Sequence, residues 1–392
     1  MTVRILTISK PYVAAAYRDK LKQIAALGQM KMGLICPPAW GNQTFEFPNK
    51  DDDKDLWIRT CPIRFNNKNH FHYYVGIKKL IKEFSPDVIN CEEEHYSLVT
   101  FQVVKIAKSM GIPCLFYTWQ NILKRYPPPF SWIESYVFKH CMVGIAGNQE
   151  AKDILVNKGF KYEIPVIPQM GVRLNQFQPP ANHDRLQRQQ ELNFPKGLQI
   201  MGFVGRLVKE KGIQDVLNAM TKLNNLGLVI LGSGPFQPEL IQLTSQLGIK
   251  DRVDFRGSIP SNQVAHYMQG FDYLCLPSHT RSNWKEQFGR VLPEAMAAGA
   301  IPVGSNSGEI PSVIADAGVV FKEGDADDLS AQLQDLMGST EKMKELQRKA
   351  LKRCLENYTN TQIASHFIKA FQLSMHPKQQ QNSHAKLNQC IE

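Results

Sequence analysis

A repeated alternation of short apolar strands with helices limits this chain to the α/β class of folds. Apolar runs of strand length recur along the sequence and helical segments follow them, which is typical of a parallel sheet covered by helices. The pattern predicts strands over 3–8, 87–90, 113–118, 142–146, 198–204, 227–231, 252–255, 273–276 and 301–303. It predicts helices over 14–27, 96–110, 212–223, 236–247, 263–268 and 289–298.

One polar segment interrupts the alternation, and a chain of 392 residues is long enough for two domains. We therefore predict two α/β domains with a cleft between them, where ligands bind at the carboxyl ends of parallel strands. The predicted parts are an N-terminal domain over 1–180, a linker over 181–197, a C-terminal domain over 198–358, a last helix over 359–375 and a disordered tail over 376–392.

Charge and cysteine usage restrict the partners and the compartment. The net charge is +10, and residues 1–180 hold most of the excess, with 23 Lys and Arg against 15 Asp and Glu. This balance fits either an ordinary basic protein or one that contacts phosphates or an anionic membrane surface, and nucleic acid is the least favoured partner. The 8 cysteines have no metal-ligand spacing. No apolar run has the length of a signal peptide or a membrane span, so we expect a cytoplasmic protein, with peripheral contact at the inner face of the membrane as one alternative.

The segment 205–212 joins a predicted strand to a predicted helix and carries Gly205, Arg206, Lys211 and Gly212. Backbone N–H groups and the positive end of a helix dipole favour anions at such a turn. Arg206 offers a planar fork for two phosphate oxygens, and Lys211 offers a mobile point charge. A solvated basic turn is the alternative interpretation of this segment taken alone.

Two carboxylates eight residues apart flank the start of the helix predicted from Gly289. Glu286 precedes that helix, and Glu294 lies more than one turn inside it. Either carboxylate could accept two hydrogen bonds from a vicinal diol of a ribose or hexose, although both could be ordinary surface residues. The Ala-rich run 295–298 indicates a buried helix, and a glutamate at its head then needs a partner.

Two glycine-bearing loops follow other strands of the second domain. The Gly/Ser segment 304–311 would allow the close approach of a ligand, or it is a simple turn. The segment 232–235 resembles a dinucleotide fingerprint, but Pro235 follows its second glycine and Gln237 stands where a third would be needed, so we reject that interpretation.

Polar side chains also follow two predicted strands of the N-terminal domain and would face the cleft. The run 92–94 consists of three glutamates, which form either a solvated turn or part of a site, and His95 follows them. Trp119, Gln120 and Asn121 could stack on a sugar and hydrogen-bond to it, although a buried tryptophan is the commoner case.

Together, and in this order, these segments resemble glycosyltransferase family 4, whose retaining enzymes have two Rossmann-like α/β domains facing across a cleft (the GT-B fold). The residues 203–207 with Lys211 and Gly212 resemble the family's phosphate segment. The residues 286–294 match its E-x7-E motif, and 305–311 resemble the loop that follows. The segment 166–172 with Phe177 is similar to the end of the family's N-terminal domain.

The resemblance implies an enzyme that moves a hexose from a nucleotide-diphosphate sugar to a hydroxyl acceptor. The acceptor would be a polysaccharide, a lipid-linked glycan or a small-molecule glycan precursor, as in cell-envelope polysaccharide biosynthesis. The implied catalytic residues are Glu286, Arg206 and Lys211. The implied donor-binding residues are Arg206, Lys211, Ile259, Glu286, Phe288, Gly289, Arg290 and Glu294. The implied acceptor or sugar side comprises Glu94, His95, Trp119, Gln120 and Asn121.

Neither a metal nor another cofactor is expected, because the aspartate run 51–53 lies in a polar loop that we interpret as surface. One departure from the family concerns Trp119–Asn121, where many members carry a histidine, and another is Arg173, where an aspartate is common. Three alternative functions remain: a GT-B sugar-nucleotide epimerase or hydrolase, a non-catalytic sugar-nucleotide-binding protein, and, disfavoured by the failed fingerprint, a nicotinamide-dependent oxidoreductase.

Overall fold

The computed structural model describes residues 2–48, 53–180 and 184–375 and divides into two units. The first unit runs from Met1 to Gly171 and takes in the segment that begins at Asn360. The second unit is the continuous stretch Val172–Thr359.

The first unit contains ten strands and five helices before residue 172 among its described residues. The strands are β1 (Arg4–Ile8), β2 (Lys31–Cys36), β3 (Ala39–Trp40), β4 (Gln43–Thr44), β5 (Leu56–Thr60), β6 (Ile63–Arg64), β7 (Tyr73–Tyr74), β8 (Val88–Cys91), β9 (Cys114–Thr118) and β10 (Gly144–Ala146). The helices are α1 (Asp19–Gly28), α2 (Ile77–Phe84), α3 (Leu98–Met110), α4 (Phe130–His140) and α5 (Gln149–Asn157).

The second unit repeats this strand–helix alternation, and the last helix returns the chain to the first unit. The strands are β11 (Gln199–Val204), β12 (Leu226–Leu231), β13 (Val253–Gly257), β14 (Tyr273–Leu276), β15 (Ile301–Ser305) and β16 (Val319–Phe321). The helices are α6 (Arg185–Glu191), α7 (Ile213–Ala219), α8 (Gln237–Gln246), α9 (Ser261–Met268), α10 (Val291–Ala297), α11 (Ile310–Ile314), α12 (Ala326–Met337), α13 (Thr340–Asn357) and α14 (Asn360–Met375).

Each unit is built on a six-stranded parallel sheet. The strand order is β10-β9-β8-β1-β2-β5 in the first unit and β13-β12-β11-β14-β15-β16 in the second. The order therefore reverses between β1 and β8 in one sheet and between β11 and β14 in the other. In such open sheets, ligands bind outside the carboxyl ends of the strands at this reversal point.

Alternating side chains of the strands explain why helices cover both faces of each sheet. In β1, Leu6 and Ile8 pack on one apolar cluster and Ile5 on another. In β11, Ile200 and Met201 divide between two clusters in the same way. Strands buried on both faces are characteristic of parallel sheets with crossover helices.

Local side-chain chemistry fixes where several helices begin. Ser97 accepts a hydrogen bond from the Thr100 amide at the start of α3, and Asn148 accepts one from the Ala151 amide at the start of α5. Asp325 does the same for α12. These caps satisfy backbone donors that have no partner inside the first turn.

The structure corrects the predicted domain bounds. From Asp184 on, the predicted linker 181–197 belongs to the second unit, because the Arg185 guanidinium bonds Asp272 at 3.3 Å and the Gly299 carbonyl at 2.6 Å. Because this segment attaches through polar side chains, its composition alone resembles that of a linker even though it packs within the second unit. Residues 181–183 and the predicted tail 376–392 lie outside the described residues.

Helix α14 packs on α1 within the first unit. Its residues Ile363, Phe367 and Phe371 are fully buried in the same apolar cluster as Leu21 and Ile24. The first unit is therefore closed by a helix that follows the whole second unit in sequence.

Candidate functional site

The turn after β11 places the two predicted phosphate-binding cations at the reversal point of the second sheet. Arg206 is exposed there, and its guanidinium makes no hydrogen bond or ion pair with any other residue that the structure describes. Leu207, the next residue, is fully buried and anchors the turn. Lys209–Lys211 form a short 3-10 helix that leads through Gly212 into α7.

Glycines hold this turn close to the neighbouring strand ends. Gly212 has φ +69°, and a Cβ placed on it would lie 1.8 Å from the Pro277 carbonyl oxygen. A Cβ on Gly232 would lie 1.8 Å from the Gly205 carbonyl oxygen. The segment 232–235, rejected above as a dinucleotide fingerprint, therefore serves as a surface against which the Arg206 turn packs.

Lys211 and Glu286, 75 residues apart in the sequence, meet in an ion pair. The Lys211 ammonium lies 2.6 Å from Glu286 Oε2, and Ser278 Oγ donates to that same oxygen at 2.9 Å. The Lys211 ammonium also lies 5.0 Å from the centre of the Trp284 ring. The structure thus joins the predicted phosphate segment to the first glutamate of the E-x7-E segment.

The Gly/Ser loop after β15 holds the backbone of Glu286. The Glu309 amide donates to the Glu286 carbonyl at 3.1 Å. Gly308 has φ +53°, and a Cβ on it would lie 2.1 Å from the Glu286 carbonyl oxygen. The close approach that this loop allows is therefore made to Glu286 itself.

Helix α10 begins two residues later than predicted, at Val291, so Phe288 and Gly289 lie before its first turn. Gly289 has φ +74°, and a Cβ on it would approach Leu276 Cδ2 at 2.6 Å. The Phe288 ring packs edge-on against Tyr358, with ring centroids 5.7 Å apart.

Glu294 lies in the first turn of α10, where it pairs with Arg290 at 3.1 Å. Burial raises the pKa of the Glu294 carboxyl above its usual value of 4.5, while the charges of Arg290 and Arg173 oppose that shift. A mostly buried carboxylate with only part of its bonding capacity met is suited to accept hydroxyl donors.

Asp215 and His279 also belong to this site, and no residue pattern predicted them. The His279 ring nitrogen Nε2 bonds the Asp215 carboxylate, and the His279 amide donates to the Glu210 carbonyl at 2.7 Å. These contacts tie the Lys211 turn to the segment that follows β14. No motif indicates the pair, because 64 residues separate its members.

Ile259 lies in the loop after β13 and is partly buried against the apolar cluster that contains Leu276 and Leu292. Beside it, the Ser258 and Ser233 hydroxyls are 2.7 Å apart.

In the first unit, the segment after β9 is held by Glu94. The Glu94 carboxylate accepts from Thr118 Oγ1 at 2.6 Å and from the Trp119 amide at 2.9 Å. Trp119 is partly buried and donates from Nε1 to Gln169, whereas Gln120 and Asn121 are buried. Glu94 therefore positions the backbone of this segment.

The structure corrects the prediction for His95. Its side chain is fully buried, bonds Glu134 at 2.9 Å and stacks on Phe138, so it presents no atom to a bound molecule. Glu134 also pairs with Lys158. Burial among aromatic rings, which the flanking polar sequence does not reveal, makes His95 a packing residue.

Acidic side chains are buried both in the run 92–94, left open above between a solvated turn and a site, and at Asp53, interpreted above as surface. Glu92 accepts from Lys20 at 2.7 Å, from Asn90 at 2.8 Å and from Tyr12 at 3.0 Å at the reversal point of the first sheet. Asp53 is also buried, in an ion pair with Arg18 at 3.1 Å. Charges buried in this way require partners, and distant segments supply them.

The described residues contain no group of three or more His, Cys, Asp or Glu side chains placed to hold a metal ion. Within the same part of the chain, no helix is both long and apolar enough to cross a membrane. The seven cysteines found there are buried and free.

A family model described as glycosyl transferases group 1 matches residues 184–353. Over these residues the chain is similar to the group 1 glycosyl transferases. This match covers most of the second unit, including both halves of the Lys211–Glu286 pair.

Curated relatives of the group 1 domain carry transferase or synthase names. The chain is 30% identical over 189 residues to N-acetyl-alpha-D-glucosaminyl L-malate synthase of Bacillus anthracis, covering 47% of this chain and 48% of the relative. It is 30% identical over 200 residues to D-inositol 3-phosphate glycosyltransferase of Mycobacterium marinum, covering 49% of this chain and 41% of the relative. The chain thus spans about half the length of the curated relatives it matches.

Solved structures match the fold over both units. A glycosyltransferase from Rickettsia africae superposes with a TM-score of 0.74 at 17% identity, covering 95% of this chain and 99% of the other. Anabaena Alr3699/HepE, solved in complex with UDP, superposes with a TM-score of 0.73 at 17% identity, covering 95% and 100%. The predicted two-domain α/β fold of the GT-B type is confirmed.

Proposed function

We propose that this chain is a retaining glycosyltransferase that moves a hexose from a nucleotide-diphosphate sugar to a hydroxyl acceptor. The observation that carries the proposal is the 2.6 Å contact between Lys211 and Glu286 inside a group 1 domain. It joins a turn suited to phosphate with a carboxylate suited to sugar hydroxyls. The complexes of Anabaena Alr3699/HepE with UDP and with UDP-glucose support the donor class.

In this proposal the donor diphosphate is the leaving group and gains negative charge as the glycosidic bond breaks. Arg206, exposed after β11, supplies two donors in a fixed fork, and Lys211 supplies a second cation. Cations held in place before the reaction stabilise the developing charge. We propose that these two side chains do so without a metal ion.

The sugar and ribose side of the proposed donor site comes from the segment 286–294. Glu294, held by α10, accepts hydrogen bonds from the ribose diol, and Glu286 accepts a hydrogen bond from a hydroxyl of the transferred sugar. The backbone at Phe288 and Gly289 contacts the sugar or the phosphate, and Arg290 neutralises charge beside Glu294. Ile259 contacts the base through backbone atoms.

For the acceptor side we propose Trp119, Gln120 and Asn121, held in place by Glu94. Glu286 is already bonded to Lys211 and Ser278, so we favour attack of the acceptor hydroxyl on the face that the diphosphate leaves over a covalent glycosyl-enzyme. The acceptor we propose is a glycan or a lipid-linked precursor of a cell-envelope polysaccharide, handled in the cytoplasm at the inner face of the membrane.

Donor binding by two variants tests the residue assignments. We expect Glu294→Ala to weaken donor binding by roughly 10–100-fold, because two hydrogen bonds to a carboxylate are lost. Arg206→Ala should lower both donor affinity and turnover. The exposed Glu239 and Arg348 supply matched controls, Glu239→Ala and Arg348→Ala, which should change neither. Unchanged donor affinity in Glu294→Ala would contradict the proposal that Glu294 binds the ribose diol.

A product assay with and without added acceptor separates the alternatives. A glycosyltransferase forms a glycosylated product only when acceptor is present. Turnover of the donor that is independent of acceptor would indicate an epimerase or hydrolase. Tight donor binding without turnover on any acceptor would indicate a non-catalytic binding protein.

A further inference from the structure

Two segments of the first unit contain no acidic residue. They are 56–82 and 95–133, and between them they hold ten lysine and arginine residues. The ten are Arg59, Arg64, Lys68, Lys78, Lys79, Lys82, Lys105, Lys108, Lys124 and Arg125.

The fold joins these two segments. The Tyr74 amide donates to Gln102 at 2.9 Å and Gln102 returns a bond to the Tyr74 carbonyl at 2.7 Å, which ties β7 to α3. At the tip of the β6–β7 hairpin, the His70 ring packs against Tyr126 and Phe130, and Phe71 packs on Phe130 at 5.3 Å. The hairpin and the segment 122–132 therefore form one continuous surface.

The basic side chains of these segments project into solvent and are largely unneutralised. All ten are exposed. Within the described ranges, Arg59 alone among them pairs with a carboxylate, that of Glu83 at 3.4 Å. The remaining nine leave a field of one sign, which attracts an extended anionic surface.

Large apolar side chains stand exposed among these charges. On the hairpin, Phe65 is 60% exposed, Phe71 52% and Val75 46%. On the segment 122–132, Leu123 is 53% exposed and Trp132 69%. Exposed apolar side chains grouped on one surface indicate an interaction site. These five residues, together with the basic residues of the same two segments, form what we call the basic apolar face; the basic residues are Arg64, Lys68, Lys124 and Arg125.

We propose that the basic apolar face docks this chain on an anionic lipid bilayer. Basic side chains near such a surface are attracted by its negative potential, and Trp and Phe partition into the headgroup region. Val75 and Leu123 have no ring to stack on a nucleobase, and they favour a hydrocarbon partner over a nucleic acid.

Docking through this face would bring a membrane to the functional edge of the first sheet. The hairpin follows the carboxyl end of β5, and the segment 122–132 follows that of β9, where Trp119 lies. A lipid-linked acceptor would then reach Trp119 without leaving the bilayer. This last step rests on the proposed function, whereas the docking itself does not.

Flotation of the full chain with vesicles tests the docking. We expect binding to phosphatidylcholine vesicles that contain phosphatidylglycerol, weak binding to phosphatidylcholine alone, and a loss of binding as salt is raised. Lys124→Glu/Arg125→Glu should weaken partition at least 25-fold, at about fivefold per basic side chain removed. Phe71→Ser/Trp132→Ser should weaken it at low and high salt alike.

Matched controls lie on exposed positions of the second unit. Lys344→Glu/Arg348→Glu reverses the same two residue types on α13, and Leu186→Ser removes an apolar side chain that is 70% exposed. Both should bind vesicles like the parent chain. Equal binding by the Lys124/Arg125 variant, or equal binding to neutral vesicles, would overturn the proposal. The proposal would also be overturned if substitutions in the basic apolar face abolished binding of a single-stranded oligonucleotide and left vesicle binding unchanged.

Donor binding, followed by thermal shift in every variant, keeps this proposal separate from the proposed function. Lost vesicle binding with normal donor binding supports the docking face. A parent chain that binds vesicles through this face but binds no nucleotide sugar would refute the proposed function and leave the docking intact.

Discussion

At the scale of single residues, Lys211 and Glu286 are each proposed to bind a different part of the donor, yet they bind each other at 2.6 Å. A donor diphosphate must therefore compete with Glu286 for the Lys211 ammonium. The ion pair holds both side chains in position and at the same time lowers the affinity of Lys211 for phosphate.

This competition makes Glu286→Gln a variant with opposite effects on two ligands. We expect its affinity for the nucleoside diphosphate alone to rise about fivefold, the equivalent of about 1 kcal/mol for a partly buried pair. Turnover of the nucleotide sugar should fall, because the sugar loses a charged acceptor. Titration calorimetry checks the first effect, and Lys211→Gln, which should lose affinity for both ligands, is its control. An unchanged or lower diphosphate affinity in Glu286→Gln would contradict the competition.

Glu294 predicts a dependence of stability on pH. Burial raises the pKa of this carboxyl in the folded chain above the 4.5 of an ordinary glutamate. The folded state therefore binds more protons than the unfolded state above pH 4.5, and stability falls as pH rises through the raised pKa. Glu294→Gln removes this loss, so its advantage in the free energy of unfolding should grow with pH over that window. If the free energy of unfolding depended on pH in the same way in the two chains, the raised pKa of Glu294 would be contradicted.

At the scale of elements, the site depends on turns that only glycine can make. Gly212→Ala should cost more than about 2 kcal/mol, because the left-handed conformation alone costs ~1–2 kcal/mol and the Pro277 carbonyl blocks the methyl group. Gly248→Ala is the matched control, since Gly248 has φ +68° with nothing within 4 Å of its Cβ position. Denaturant unfolding should separate the two variants, and only Gly212→Ala should also lose donor affinity. Equal costs would show that the contact with Pro277 is unimportant.

The sequence predicts the elements that bear the site because buried parallel strands are continuous apolar runs. Strands β1, β8, β9 and β11 all begin within one residue of their predicted starts. Strands β2, β5 and β16 were not predicted. The short hairpins β3–β4 and β6–β7 were not predicted either, because two-residue strands carry no periodic signal.

Contacts between distant segments could not be predicted. The ring environment of His95, the Asp215–His279 pair and the burial of Glu92 all depend on side chains far away in the sequence. For the same reason α6 could not be told from a linker, since its attachment is made by polar side chains such as Arg185.

At the scale of the whole molecule, the first unit is discontinuous in sequence and depends on α14. Phe367, at the centre of this helix, is fully buried with the Lys20 ammonium 3.9 Å above its ring. The second unit, by contrast, is one continuous stretch with its own apolar clusters.

Phenylalanine-to-alanine substitutions in the two cores should therefore act locally. Phe367→Ala should destabilise the first unit by about 3–5 kcal/mol and speed hydrogen exchange in β1, β8 and α1. Phe321→Ala, a buried position in β16, should instead speed exchange in β11, β14 and β15. Exchange measured by segment checks this, and equal acceleration in both units by either variant would contradict independent cores.

We propose that the second unit binds a nucleotide-diphosphate sugar through Arg206, Lys211 and Glu294. The most direct measurement is the thermal midpoint of the parent chain and of Arg206→Ala against a panel of UDP-, GDP- and ADP-sugars, because a bound ligand stabilises the folded state by mass action. We expect one nucleotide class to raise the thermal midpoint of the parent chain and to have little effect on that of Arg206→Ala. No shift with any nucleotide sugar, or an equal shift in Arg206→Ala, would contradict it.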